Sequence, residues 1–264
     1  MRSQSCPQPS PALSFMVAVF LISQGGVLQG QNSWVARSFP VGERMLFEGR
    51  YGFISLGDAS MTVLPNDTGN GIVSRPLQLT ISANLIGVYR INDRFVSWVD
   101  CTMGFSSRFI QEYDESNQQH TNVYQIFPDS GFLRQSDIDS VIPTVAQPLD
   151  ETAFLYWVRT LDLEPGDTLR SERYFRPDRN PITVAALVRD TIDVPAGRFA
   201  TLVVQPTIPD GGLLFSEDAE ARVWLSDDHR RLVVQMKVKL LSFATVALRL
   251  KEFEIPERQA ACYD

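Results

Sequence analysis

The chain has 264 residues, 44% hydrophobic and 21% charged, with 24 lysines and arginines against 31 aspartates and glutamates. That composition suits a globular protein with one sizeable core, and a net charge of −7 excludes the dense basic face that nucleic-acid binding requires.

The first element is Ala12 to Ser23, "ALSFMVAVFLIS", an uncharged apolar run preceded by Arg2 and followed by the small and polar "QGGVLQGQN". This is the anatomy of a secretory signal peptide over residues 1–30, with an uncleaved N-terminal anchor as the alternative. The run is shorter than the roughly 20 apolar residues that span a bilayer, so the cleaved protein is not expected to be an integral membrane protein. The cut falls between Gly25 and Gln31, although no Ala-x-Ala site fixes it. Cys6 precedes the run, where a lipid-modified cysteine would have to follow it. Arg2 is the only charge in the first 30 residues, so cleavage leaves 23 basic and 31 acidic side chains, a net of −8. Cleavage also leaves Cys101 and Cys262 in an oxidising periplasm or cell envelope, where they form one disulfide tying the tail 259–264 to a strand or stay as two thiols.

From Phe39 onward, short runs rich in β-branched and aromatic residues alternate with polar ones and are broken by turn residues. The clearest are Met45–Phe53, Leu77–Asn84, Ile91–Asp100, His120–Phe127 and Phe199–Pro206, with turns at Pro65–Gly71, Phe127–Gly131, Glu164–Asp167 and Val194–Phe199. Leu149–Leu163 breaks the pattern. Asp150 is placed to cap a helix, and Ala153, Trp157 and Leu161 share one face of it with Phe154 and Val158 alongside. Further on, Val234, Met236, Val238 and Leu240 alternate with Gln235, Lys237 and Lys239, and Val246, Leu248 and Leu250 repeat the alternation, so the two runs read as a hairpin. No internal repeat or long linker appears. The expectation is a single all-β domain over residues 35–258, an antiparallel sheet of about ten strands with one short helix. A sheet that wide seldom stays flat, so a strongly curled half-barrel or incomplete barrel is expected.

Few residues offer chemistry. Asp227, Asp228 and His229 stand beside Arg230 and Arg231, between Glu220–Ser226 and the strand that begins at Leu232. Zinc needs three or four convergent ligands, and adjacent turn residues diverge, so a charged hairpin tip is the better reading. His120 on a strand has no Gly-x-Ser-x-Gly elbow to serve, and Asp137 and Asp139 lack the glycine and distant glutamate of a calcium loop. No catalytic residue, metal ligand or cofactor site is assigned. What remains is aromatic. Most such side chains fill a core, but a curled sheet too large to fill itself would leave a cavity for a lipid or other apolar ligand, with Phe53, Trp98, Phe109, Tyr124, Trp157 and Trp224 as its lining.

Four stretches, Val41–Val63, Asp150–Leu169, Asp190–Pro206 and Ala221–Leu240, together resemble a bacterial family of exported proteins, domain of unknown function 3108. The resemblance spans about Phe39 to Ile255. It implies a mainly antiparallel β protein of the cell envelope, with no established activity and no catalytic residues to carry over. One departure is Leu232, which follows Arg231 where the family often has a proline. Two functions follow as expectations: a non-enzymatic envelope protein holding an apolar ligand in its curl, or a structural or assembly partner of another envelope protein or polysaccharide with no ligand cavity.

Overall fold

The computed structural model describes residues 33–69, 71–85, 89–116, 118–210, 214–240 and 244–257. The expected signal peptide, the tail 259–264 and Cys262 lie outside them.

Period-two burial builds the strands. In β1 (Arg44–Tyr51), Met45 and Phe47 are buried between exposed or half-buried neighbours, and Ala59, Met61 and Val63 repeat this in β2 (Ile54–Val63). The N-terminal half continues with β3 (Asp67–Gly69), β4 (Ile72–Leu85), β5 (Tyr89–Asp100), β6 (Ser106–Glu115), β7 (Gln118–Phe127), β8 (Phe132–Gln135) and β9 (Ile142–Pro143). The C-terminal half supplies β10 (Thr168–Ser171), β11 (Ile182–Val194), β12 (Gly197–Thr207), β13 (Arg222–Ser226), β14 (Val233–Leu240) and β15 (Ala244–Glu254).

All of these strands join one antiparallel sheet. Its path runs from β10 through β15, crosses to β1 and β2, and continues from β4 to β9, while β3 pairs with β4 off this path. The crossing is the pairing of β15 with β1, which sets Arg44 against Glu254 and Arg50 against Ala247.

Where the alternation predicts about ten strands in a strong curl, the sheet has 15 and is neither closed nor strongly curled. The surplus lies in β3, β8, β9 and β10, each of two to four residues, too short to show a period. The end strands β9 and β10 do not pair with each other. They are also short, with two and four residues, which limits the unpaired backbone that an open sheet offers to other chains.

Two helices are present where one is expected. The first, α1 (Trp34–Ser38), has five residues and no apolar period long enough to read. The second, α2 (Glu151–Val158), is the helix foreseen in the sequence, trimmed to eight residues. The Asp150 carboxylate accepts from the N–H groups of Thr152 and Ala153, both at 3.0 Å, satisfying two of the amides that a helix start leaves open. So short a helix is marginal alone, and burial holds it: Phe154, Leu155 and Tyr156 are almost fully enclosed in the core, packed over β4 and β5. The segment joining edge strand β9 to edge strand β10 therefore carries α2 onto the apolar face of the sheet.

Candidate functional site

The six aromatics expected to line one pocket do not converge. Phe53 is at the β1–β2 turn and 88% exposed. Trp98 lies opposite Arg108 while its neighbour Ser97 lies opposite Phe109, so Trp98 and Phe109 occupy opposite faces of the sheet. There its indole N–H donates to Asp67 at 2.9 Å and the Arg108 guanidinium covers its ring. Phe109 and Tyr124 do meet, stacked at 5.9 Å, and belong to the core with Trp224, against which Trp157 on α2 is half-buried. The alternation in single strands carries no information on which of these faces come together.

Among the described residues, an apolar cavity between Leu79, Phe95, Phe109, Leu155 and Phe215 measures about 10 Å³. That is roughly the space one water needs, and far below the several hundred Å³ of a ligand pocket. Beside it, buried polar groups tie α2 to the sheet. Ser97 donates to the Asp150 carboxylate at 2.5 Å, Ser106 Oγ accepts from the Asp150 N–H, and the Glu151 carboxylate accepts from the Leu214 N–H at 2.8 Å. Burial pushes the Asp150 carboxyl up to about 6 against the opposing pull of these hydrogen bonds.

An open polar cleft is found elsewhere, at the β13–β14 turn. A cleft of about 400 Å³ lies between residues 159–164, which follow α2, and the turn Asp227–Arg231, with Arg189 and Phe39 on its sides. The turn is held by its own sequence. Ser226 donates to Asp228 at 2.9 Å, Arg230 closes on the same carboxylate, and Arg231 takes the left-handed conformation at φ 47°. The Leu232 N–H donates to Ser226 Oγ at 2.8 Å, a bond for which a proline has no hydrogen.

Beneath the turn Arg159 is fully buried. It pairs with Glu43 at 2.7 Å, donates to the carbonyls of Arg231 at 2.8 Å and Arg230 at 3.3 Å, and lies over the Phe39 ring. At the rim Arg189 bridges Glu164 (2.7 Å) and Asp227 (3.0 Å), and Arg231 donates to the Leu161 carbonyl at 3.0 Å. The Arg189 hydrogen bond holds the Glu164 carboxyl below its usual range. At Asp228 burial acts to raise the carboxyl, but the bonds from Arg230 and Ser226 outweigh it and lower it. The cleft therefore presents fixed, paired charges that can hydrogen-bond a polar partner. Arg159 carries no sequence signal, because an arginine at a helix C-terminus reads as a solvated charge favoured by the helix dipole.

The remaining candidates stay apart. His229 is exposed at the turn, His120 stacks on Tyr113 at 4.4 Å, and Asp137 and Asp139 are exposed. Among the described residues no three His, Cys, Asp or Glu side chains group as a metal site. Cys101 is buried and disulfide-bonded, while Cys6 and Cys262 lie outside the described residues.

The family described as "Protein of unknown function (DUF3108)" matches residues 46–246. No curated protein matches the chain. Among solved structures, the β-barrel-like protein of domain of unknown function DUF1849 from Brucella abortus is 9% identical, with a TM-score of 0.51 over 83% of this chain and 100% of its own, a likeness of fold alone. A candidate lipoprotein from Parabacteroides distasonis is 11% identical, with a TM-score of 0.35 over 82% of this chain and 97% of its own. A candidate exported protein with a YmcC-like fold from Bacteroides fragilis is 12% identical, with a TM-score of 0.34 over 82% and 98%.

Proposed function

This chain belongs to the DUF3108 family of proteins of unknown function, and from that premise we propose that it is an exported, non-enzymatic protein of the cell envelope. It binds another envelope protein or a polysaccharide on its surface, at the cleft around Asp227–Arg231. The observation that carries this is the contrast between an interior cavity of about 10 Å³ and an open polar cleft of about 400 Å³. An acyl chain has no room in the former. The apolar leader at residues 12–23 supports export. Support for a binding rather than a catalytic role comes from the histidines, His120 stacked on Tyr113 and His229 exposed at a turn tip.

Rigid placement favours recognition, because groups already fixed lose little entropy on binding. Arg159 fixes the backbone of the turn from below, and Arg189 fixes Asp227 from the side. Native mass spectrometry of the exported protein, purified gently from the envelope fraction and followed by organic extraction, tests the reading. The expected result is the mass of the bare chain. A bound acyl chain or other apolar molecule would overturn it.

A further inference from the structure

We propose that the turn between β1 and β2 docks the protein on a lipid bilayer: Tyr51, Phe53 and Ile54 enter the outer layer of the membrane while Arg50, Arg90 and Lys239 meet anionic headgroups. This stands independently of the partner cleft.

The turn has two central residues, because Tyr51 still pairs with Ile54. Gly52, at φ 57°, supplies the positive φ that such a hairpin demands of its first central position. The second position makes no comparable demand for an aromatic, and small polar residues are usual in turns. Yet Phe53 is 88% exposed, more than any other large apolar side chain among the described residues, with Tyr51 at 42% and Ile54 at 36% beside it. Its backbone is held in place by Arg50, whose guanidinium donates to the Phe53 carbonyl at 2.8 Å. Folding thus gains nothing visible from this phenyl ring, and a contiguous exposed apolar cluster marks an interaction site.

The occupant follows from form and charge. An exposed two-residue tip offers too little area for a stable protein interface, which needs roughly 800 Å² on each side. A fluid bilayer closes around such a tip without a matching surface. The strand registers set Arg50 of β1, Arg90 of β5 and Lys239 of β14 within about two residues of the same end of the sheet. Their carboxylate partners, Glu48 at 3.7 Å, Asp114 at 3.4 Å and Glu220 at 2.7 Å, are at exposed or half-exposed positions, where such pairs contribute little and give way to headgroup phosphates. The β13–β14 turn lies at the opposite end of the strands, since Leu225 pairs with Val233 there while Leu240 pairs with Ala244 here. A chain docked by Phe53 therefore presents Asp227–Arg231 away from the membrane.

Flotation of the exported protein with large unilamellar vesicles, of phosphatidylethanolamine with phosphatidylglycerol or of phosphatidylcholine alone, tests the proposal. The wild type is expected to float with the anionic vesicles and less with the neutral ones. F53S should lower the bound fraction about tenfold, whereas V188S, at an exposed apolar position on β11, should leave it unchanged. A second probe separates the tip from any contribution of the leader. The emission of F53W should shift to the blue on adding anionic vesicles and be quenched by brominated lipids. No flotation of the wild type, equal flotation of F53S, or a vesicle-blind F53W would overturn the proposal. Loss of self-association in F53S without any vesicle binding would assign the tip to a second copy of the chain and overturn it equally.

Discussion

Arg159 and Glu43, 116 positions apart in the sequence, meet in an ion pair of 2.7 Å with side-chain exposures of 0% and 3%. The pair joins the end of α2 to the entry of β1, and through two carbonyls Arg159 also holds the Asp227–Arg231 turn. Removing one partner strands a charge in the interior, which typically costs about 3–5 kcal/mol. R159A and E43A should each lower the free energy of unfolding by that order in urea titrations. The double variant R159M/E43L should lose less than the two single losses combined, because no charge is left unpaired. Single-variant losses below about 1 kcal/mol, the range of a surface pair, would show that the pair is solvated.

Gly57 makes a contrast with Gly131. A side chain on Gly57, at φ 150°, would run into the Ser82 carbonyl oxygen and come within 2.7 Å of Ala83 Cα, both backbone atoms of the adjacent strand β4. Gly131 at φ 71° has open space around it. G57A should therefore cost about 2 kcal/mol or more, and G131A about 1 kcal/mol from the backbone conformation alone. Thermal melts of the two variants read the difference, and equal losses would mean that β4 yields freely.

Asp150 gives stability a pH dependence of known sign. Its carboxyl, raised to about 6 by burial, holds a proton in the folded state between that value and the roughly 3.9 of an unfolded chain. Its contribution is full below the unfolded value and is lost as pH rises through the folded one. D150N keeps a capping oxygen and carries no such proton. The wild type should lose up to about 3 kcal/mol relative to D150N between pH 4 and pH 7.5. A difference between the two proteins that does not change with pH would contradict the raised carboxyl.

Cys101 is disulfide-bonded, and its expected partner is Cys262. Peptide mapping without reduction should recover the two in one linked fragment. C262S should cost about 2–5 kcal/mol, with a reductant producing the same loss in the wild type and none in the variant. Recovery of Cys101 linked to Cys6 would refute the pairing.

Much of the fold was legible because period-two burial and turn residues act locally. Met45, Phe47 and the Val234–Val238 run announce their buried faces in the sequence, and Asp150 announces the start of α2. Strands of two to four residues, and a five-residue helix, are too short to carry a period. The pocket expected from Phe53, Trp98 and the other aromatics failed for a different reason: composition counts rings but does not say which face of the sheet each occupies.

By itself the sequence determined the all-β character, the helix that begins after Asp150 and the membership of a family. These rest on interactions between residues close in the chain, or on the summed pattern of the whole. Only the tertiary structure decided that β15 pairs with β1, that Trp98 and Phe109 occupy opposite faces of the sheet, and that a buried arginine supports the charged turn. Each of those depends on residues far apart in sequence, whose meeting is set by how strands order and faces stack, and no local pattern encodes that partnership.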